Sequence, residues 1–291
     1  MPCNVNTTFD RTDVYDGTDR ALLMAHVRKH FGDLTGIGQA NLSTGRSVDI
    51  LHVTPPSRKT IGKFFASENS PAPGDETLLL TSGAGALPMN VPQDSDLPPR
   101  AEYLMRLPVD WNVQSFDETY AWPVHLLLAI ASHPEAEHSY NAWGHTFSFA
   151  QGRPFAENTL LCAALLTGMN DREGQCRLHN GEQVTFYEVI PLYAEELQFT
   201  TEYGAIALIE EFMRYRIPRV VTPQRPNAAR LVMYRKKLAT EKEKDIRLRL
   251  QNAPASIEER LVLKELLRTQ TGVGKRTLDR LKTITSSFFT R

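Results

Sequence analysis

Apolar residues recur along this chain with two periods, and each period predicts a different element. Over 18–32, Leu22, Leu23, Val27 and Phe31 return at helical spacing, with Thr18 placed to cap the helix and Gly32 to end it. Val48 and Ile50 share one face of a strand over 47–53, halted by Pro55 and Pro56. Short apolar runs predict further strands over 77–81, 101–107, 144–149, 159–166 and 183–190, the last rich in β-branched and aromatic residues. The segment 122–132 reads as an apolar helix with Pro123 in its first turn, where a missing N–H costs little. The segment 88–99 holds four prolines and reads as loop, and 194–215 reads as one long helix with Leu197, Leu208 and Phe212 facing a core. Strands interleaved with a few helices predict an α/β (α+β) fold, a mixed sheet with helices packed on it.

Beyond Val221 the pattern becomes helical throughout. Pro218, Pro223 and Pro226 cluster there, and proline forbids a continuous helix, so the stretch reads as a linker. The expected organisation is an α/β domain over 1–221 followed by a helical extension over 222–291. Residues 227–251 read as one helix capped by Asn227, and 256–269 as a second. The second opens on Ser256 with Glu259 three residues later, the spacing of a reciprocal capping box. Leu278, Leu281 and Ile284 mark a third.

Charge sharpens that division. Residues 1–221 hold 16 Lys+Arg against 27 Asp+Glu, a net −11, whereas 222–291 hold 17 against 7, a net +10. A basic tail can bind a polyanion, or it can dock on its own acidic body or on a second subunit. Lys275, Arg276, Arg280 and Lys282 follow the Gly272-Val273-Gly274 junction, which has the look of a helix-turn-helix or a helix-hairpin-helix phosphate clamp. They are the candidate nucleic-acid contacts. Arg268 stands where a helix-turn-helix usually wants a small residue, which weakens the first of those readings.

The remaining composition excludes more than it identifies. Hydrophobic residues make up 41% of 291, enough for a sizeable core. Cys3, Cys162 and Cys176 share no Cys-x-x-Cys spacing, so neither a disulfide scaffold nor a structural zinc site is expected. The beginning has no basic-then-apolar leader. The longest strongly apolar run, 124–131, is broken by His125 and is far short of the ~20 residues that cross a bilayer. A cytoplasmic protein without membrane attachment is expected.

Candidate chemistry is sparse. The stretch Thr81-Ser82-Gly83-Ala84-Gly85 follows a strand but lacks the third glycine of a dinucleotide loop and the Gly-Lys-Ser/Thr of a phosphate loop. It reads as a tight turn or a contact to a partner. His133 and His138 flank Glu135 and Glu137, but a five-residue spacing does not put both histidines on one helix face, and no third ligand is evident. Cys162 lies in an apolar strand and reads as a small hydrophobe. Glu195-Glu196 and Glu210-Glu211 read as solvated helix faces. Trp122 and Trp143 read as core, and Trp111, in a polar run, reads as a surface anchor. No catalytic set, metal or cofactor is expected.

Several segments resemble the suppressor of fused domain family in its bacterial form. They are Val48-Asp49-Ile50-Leu51-His52-Val53-Thr54-Pro55-Pro56, Leu79-Leu80-Thr81-Ser82-Gly83, and Ala121-Trp122-Pro123-Val124-His125 before Gly144-His145-Thr146-Phe147. The strongest runs from Val184 through Phe186, Tyr187, Pro191 and Glu195 to Leu197, continuing over Tyr203 to Leu208. The resemblance covers roughly residues 15–217 and implies an α/β sandwich without catalytic residues that holds a protein partner. In animals the family sequesters a transcription factor; in bacteria such domains are proposed as immunity proteins against toxins. Ala84 and Ala86 depart from the family pattern, and the tail does not look like the second domain of the animal members. The expected function is therefore a non-enzymatic protein-binding module, an immunity or regulatory protein. Thr81, Ser82, Gly83 and Trp111 are the candidate partner contacts, and self-association is an option. The alternative is a regulator that touches nucleic acid through its tail.

Overall fold

The structure is a computed structural model, and it describes residues 14–55, 76–149, 152–170, 172–238, 246, 248–250 and 256–270. Helix α1 (Gly17–His30) leads into β1 (Asp33–Asn41), β2 (Ser47–Thr54), β3 (Glu76–Ser82) and β4 (Arg100–Pro108). Helix α2 (Glu118–Ala136) follows, then β5 (Thr146–Ser148), β6 (Leu161–Gly168), β7 (Gln175–Arg177) and β8 (Gln183–Tyr193). The described helices end with α3 (Ala194–Tyr203), α4 (Ala205–Tyr215), α5 (Ala228–Leu238) and α6 (Ile257–Gln270). The chain forms two compact units, one within 1–192 and 219–224, the other within 193–218 and 225–291.

The first unit is an eight-stranded mixed sheet in the order β1-β2-β3-β4-β8-β6-β5, with β7 paired to β8. Strands β1 to β4 form an antiparallel meander, and β4 runs parallel to β8. A parallel neighbour needs a long crossover, and the chain supplies one through α2 and the strands after it. Strands β3, β6 and β8 are buried almost throughout, because both faces of the sheet are covered there. Leu23 and Val27 of α1, and Phe31 just past its end, pack on one face with Leu51, Val53, Leu78, Leu80, Leu104 and Phe186. Helix α2 packs against β3 and β4. Asn141 fixes its side of the sheet by donating to the Tyr103 hydroxyl and to the Ile130 carbonyl.

Two prolines lie inside α2. The helix begins at Glu118 under an Asp117 cap, so Pro123 sits in the second turn, and Pro134 lies near the end. A proline cannot donate to the carbonyl four residues back. Those two carbonyls, of Thr119 and Ile130, are instead bonded by the side-chain amides of Asn158 at 3.2 Å and Asn141 at 2.9 Å. The helix therefore runs through both prolines without leaving either acceptor unmet.

Other boundaries also shift. Asp16, rather than Thr18, caps α1 by accepting from the Asp19 N–H. The segment expected as one helix over 194–215 breaks at Gly204 (φ +86) into α3 and α4. Strand β1, which has little apolar alternation, and the three-residue β7 were not expected. Trp122 is core, but Trp143 is 38% exposed. The proline-rich stretch expected as a linker is pinned: Val220 and Val221 are buried, and the Val221 N–H donates to the Arg106 carbonyl at 2.9 Å.

In the second unit Tyr215, Leu231, Val232, Ile246, Val262, Leu263 and Leu266 form the core. Arg235 meets Glu211 with two parallel bonds of 2.8 and 2.9 Å. Asn227 caps α5 through the Arg230 N–H, and Ser256 caps α6 through the Glu259 N–H. The expected third helix around Leu278 to Ile284 lies outside the described residues, as does the middle of the helix expected over 227–251.

Candidate functional site

The turn after β3 is built around a buried carboxylate. Glu102, the third residue of β4, has no exposed surface. One of its oxygens accepts from the Tyr15 hydroxyl at 2.9 Å and from the Gly83 and Gly85 N–H groups at 2.9 and 3.1 Å. The other accepts from the Thr81 hydroxyl at 2.5 Å. The Thr81 oxygen in turn accepts from the Tyr103 N–H at 2.9 Å. Burial pushes the Glu102 carboxyl above the ordinary glutamate range, and the four hydrogen bonds offset only part of that. Burial and the neighbouring carboxylate also push the Tyr15 hydroxyl up.

Two arginines hold the outside of the same turn. Arg46, nearly buried, donates to the Gly83 and Ala84 carbonyls and pairs with Glu135 at 3.0 Å. Arg100 donates to the Gly85 and Ala86 carbonyls and pairs with Glu182 at 3.0 Å. Gly85 is required by close packing: a Cβ there would lie 2.6 Å from the Tyr15 hydroxyl and 3.0 Å from the Ala101 carbonyl. The N–H groups that would cradle a phosphate are thus committed to Glu102.

Thr81 is fully buried, whereas Ser82 and Gly83 line a cleft of roughly 130 Å³ with Tyr15, Arg20, Gln39 and Asp49. The ladder explains this grouping, since Gln39 of β1 pairs with Asp49 of β2, and Asp49 with Ser82 of β3. Trp111 lies elsewhere, in the loop after β4. It is half-buried, its indole N–H donates to the Tyr120 carbonyl at 3.0 Å, and its ring meets Tyr120 and Trp122 edge-on. Lys275, Arg276, Arg280 and Lys282 lie outside the described residues.

The other candidate groups have structural partners. His133 bonds Asn141 and Glu135 pairs with Arg46, so the histidine–glutamate cluster of α2 does not converge. Cys162 and Cys176 are buried, and burial pushes the Cys176 thiol up to about 11. Glu196, expected on a solvated face, is fully buried and bonded by both terminal nitrogens of Arg225. Among the described residues, potential metal-ligand atoms meet at Asp16, Asp19 and His179. There Asp16 caps α1, while the His179 backbone N–H and ring both bond Asp19. Desolvation opposes ionisation of Asp19, but the His179 bonds outweigh it and lower its pKa, and Asp19 raises that of His179.

Glu102 was missed in the sequence because its partners come from two distant stretches, Tyr15 and the turn over 81–85. The available signal was a lone carboxylate flanked by apolar residues in a strand that pairs on both sides.

One relative matches in sequence, and two solved structures share this fold. The Ureaplasma parvum serovar 3 protein called uncharacterized protein UU111 is 28% identical over 136 residues. That match covers 46% of this chain and 66% of that protein, just under two thirds of its length. A chain of the Sufu–Fu complex crystal structure has a TM-score of 0.53 at 11% identity, covering 77% of this chain and 97% of that one. The crystal structure of Drosophila Suppressor of Fused has a TM-score of 0.53 at 12% identity, covering 78% of this chain and 55% of that one. Both likenesses are likenesses of fold. The model of the Suppressor of fused protein (SUFU) family matches residues 45–226, well over half of the sequence, and the chain belongs to that family.

Proposed function

We propose that this protein is a non-catalytic module that holds a protein partner, and that it acts as an immunity or regulatory protein by sequestering it. The observation that carries this reading is the outer edge of β1. Nine residues run from Asp33 to Asn41, mostly exposed, with no proline and Asp33 as the sole charge. Among the described residues, no strand pairs with its far side. Such an edge presents a row of main-chain donors and acceptors that an extended partner segment can complete. The Sufu–Fu complex supports a protein as the ligand class. The net −11 of residues 1–221 favours a basic one.

Two of the residues singled out in the sequence lie near that edge. Ser82 and Gly83 line the cleft reached across the ladder from Gln39, near one end of β1. In this reading they contact the end of the added strand, Thr81 holds their turn in shape, and Trp111 is a further contact.

The test is recovery of partner from cells of the source organism on full-length wild type and on Ile37→Lys. Lysine on an edge strand disfavours strand addition. Wild type should recover one stoichiometric protein, and Ile37→Lys, with unchanged circular dichroism, at least about tenfold less. Equal recovery would remove β1 as the interface. Recovery of nothing by wild type would remove the reading.

A further inference from the structure

The loop between β4 and α2 carries an unusual surface. Within residues 109–120, Phe116 is fully exposed, and Val109 and Tyr120 are 52% and 41% exposed. Single exposed apolar residues are ordinary, whereas several in one short span mark a contact surface. This span is also held rigidly. The Trp111 N–H donates to the Pro108 carbonyl, Val113 to Trp111 and Ser115 to Asn112, all within 3.2 Å. Asp117 fixes the start of α2 through the Thr119 N–H and hydroxyl at 2.9 and 2.7 Å. Behind Tyr120, Trp111 meets the Tyr120 and Trp122 rings edge-on, and buried Trp122 stacks on Phe155 at 5.4 Å. Preorganised aromatic side chains backed by a packed core are what interface anchors have in common.

The charge of the span selects the ligand. Asp110, Asp117 and Glu118 are exposed, and no lysine or arginine occurs from 109 to 120. Three exposed carboxylates repel phosphate, which disfavours nucleic acid and anionic lipid alike. They favour a cationic polypeptide.

We infer that residues 109–120 form a docking ledge for a basic segment of a protein partner, one that brings lysine or arginine beside a large apolar side chain. The apolar group packs on Phe116, Tyr120 and Trp111, and the cations face Asp110, Asp117 and Glu118. This deepens the protein-holding reading and rests on it. The ladder places the two surfaces within reach of one partner. Leu34 of β1 pairs with Val53, Val53 with Leu78, and Leu78 with Arg106. The ledge starts three residues past Arg106, so it leaves the sheet at the Asp33 end of β1, three strand spacings or about 14 Å away.

The test places the photo-crosslinker p-benzoylphenylalanine in the full chain, in place of Phe116 or separately in place of Ile37, in cells of the source organism. The expected product at 116 is a cross-link to a protein segment of net positive charge. Its yield should fall roughly fivefold when Asp110→Asn, Asp117→Asn and Glu118→Gln are combined, since exposed charge pairs contribute modestly one by one. Asn at 117 still caps α2. An acidic or neutral cross-linked segment, a second copy of this chain, lipid or nucleic acid at 116, or a yield indifferent to the triple variant, would overturn the ledge. Capture from 37 with none from 116 would also overturn it while leaving the protein-holding function standing. No capture from either position would overturn both.

Discussion

Each of the two units buries a glutamate completely, and the two are satisfied in different ways. Glu102, in the sheet, is surrounded by neutral donors: two hydroxyls and two backbone N–H groups. Glu196, at the start of α3, accepts from both terminal nitrogens of Arg225, at 2.8 and 2.5 Å, and from the Tyr193 and Ala228 N–H groups. The Arg225 guanidinium also lies over the Tyr193 and Phe212 rings, at 5.1 and 5.0 Å. The difference follows from how each unit is joined. Strands are tied by a backbone ladder, so Glu102 has only a turn to arrange. Helices satisfy their own backbones and meet through side chains alone, so Glu196 has to clamp the start of α5 to the start of α3 across 29 residues of chain. A directional ion pair suits that task, because its geometry admits one arrangement.

The clamp should give the largest response. Arg225→Met leaves Glu196 buried without its cation, which costs about 3–5 kcal/mol. Replacing both residues with Met should cost far less, because no charge is then stranded. Denaturant unfolding of the two variants measures this. A single variant no worse than the double would mean that packing, and not charge, joins the helices.

Glu102 should respond less, and with a dependence on pH. Gln keeps an acceptor oxygen for the Tyr15, Gly83 and Gly85 donors but loses the one that meets Thr81, so Glu102→Gln should cost about 1–2 kcal/mol, the scale of one disturbed buried hydrogen bond. Burial raises the folded-state pKa of this carboxyl above its ordinary value. Its contribution is therefore complete below the unfolded-state pKa and is lost as pH rises through the folded value. The advantage of wild type over Glu102→Gln should shrink between pH 5 and pH 8 in paired urea titrations. A widening advantage would show that the four donors outweigh burial and hold the group ionised.

What was legible in the sequence follows the same divide. The runs expected over 77–81, 159–166 and 183–190 announced themselves because two-sided burial demands apolar residues in sequence, and the strand over 47–53 did so by alternation. Strand β1 did not, because an edge strand that buries little need not be apolar, and Asp33-Leu34-Thr35-Gly36-Ile37 carries no such signal. Glu196 read as a surface residue, and Glu102 carried no reading at all. Their burial depends on Tyr15, 87 residues from Glu102, and on Arg225, 29 residues from Glu196, and periodicity carries no information at that range. Arg225 was further disguised by sitting between Pro223 and Pro226, in a stretch whose composition reads as linker. Of the candidate contacts, Trp111 was visible as an aromatic residue in a polar run, whereas the exposure of Phe116 depends on a loop whose hydrogen bonds are local but irregular.

The smallest expected effect discriminates between two readings of one residue. Over 194–215 the apolar spacing is continuous enough to predict a single helix, and in a helix interior alanine is better than glycine by about 1 kcal/mol. Gly204 instead has φ +86, where it ends α3 and begins α4. A side chain is strained in that conformation whatever space surrounds it, and among the described residues no atom beyond the local backbone lies within 4 Å of where a Cβ would stand. Gly204→Ala should therefore destabilise by about 1 kcal/mol through the backbone alone, with no contribution from a clash. Its sign in denaturant unfolding decides the matter: a gain would mean one continuous helix, and a loss means two helices joined by the residue best able to turn between them.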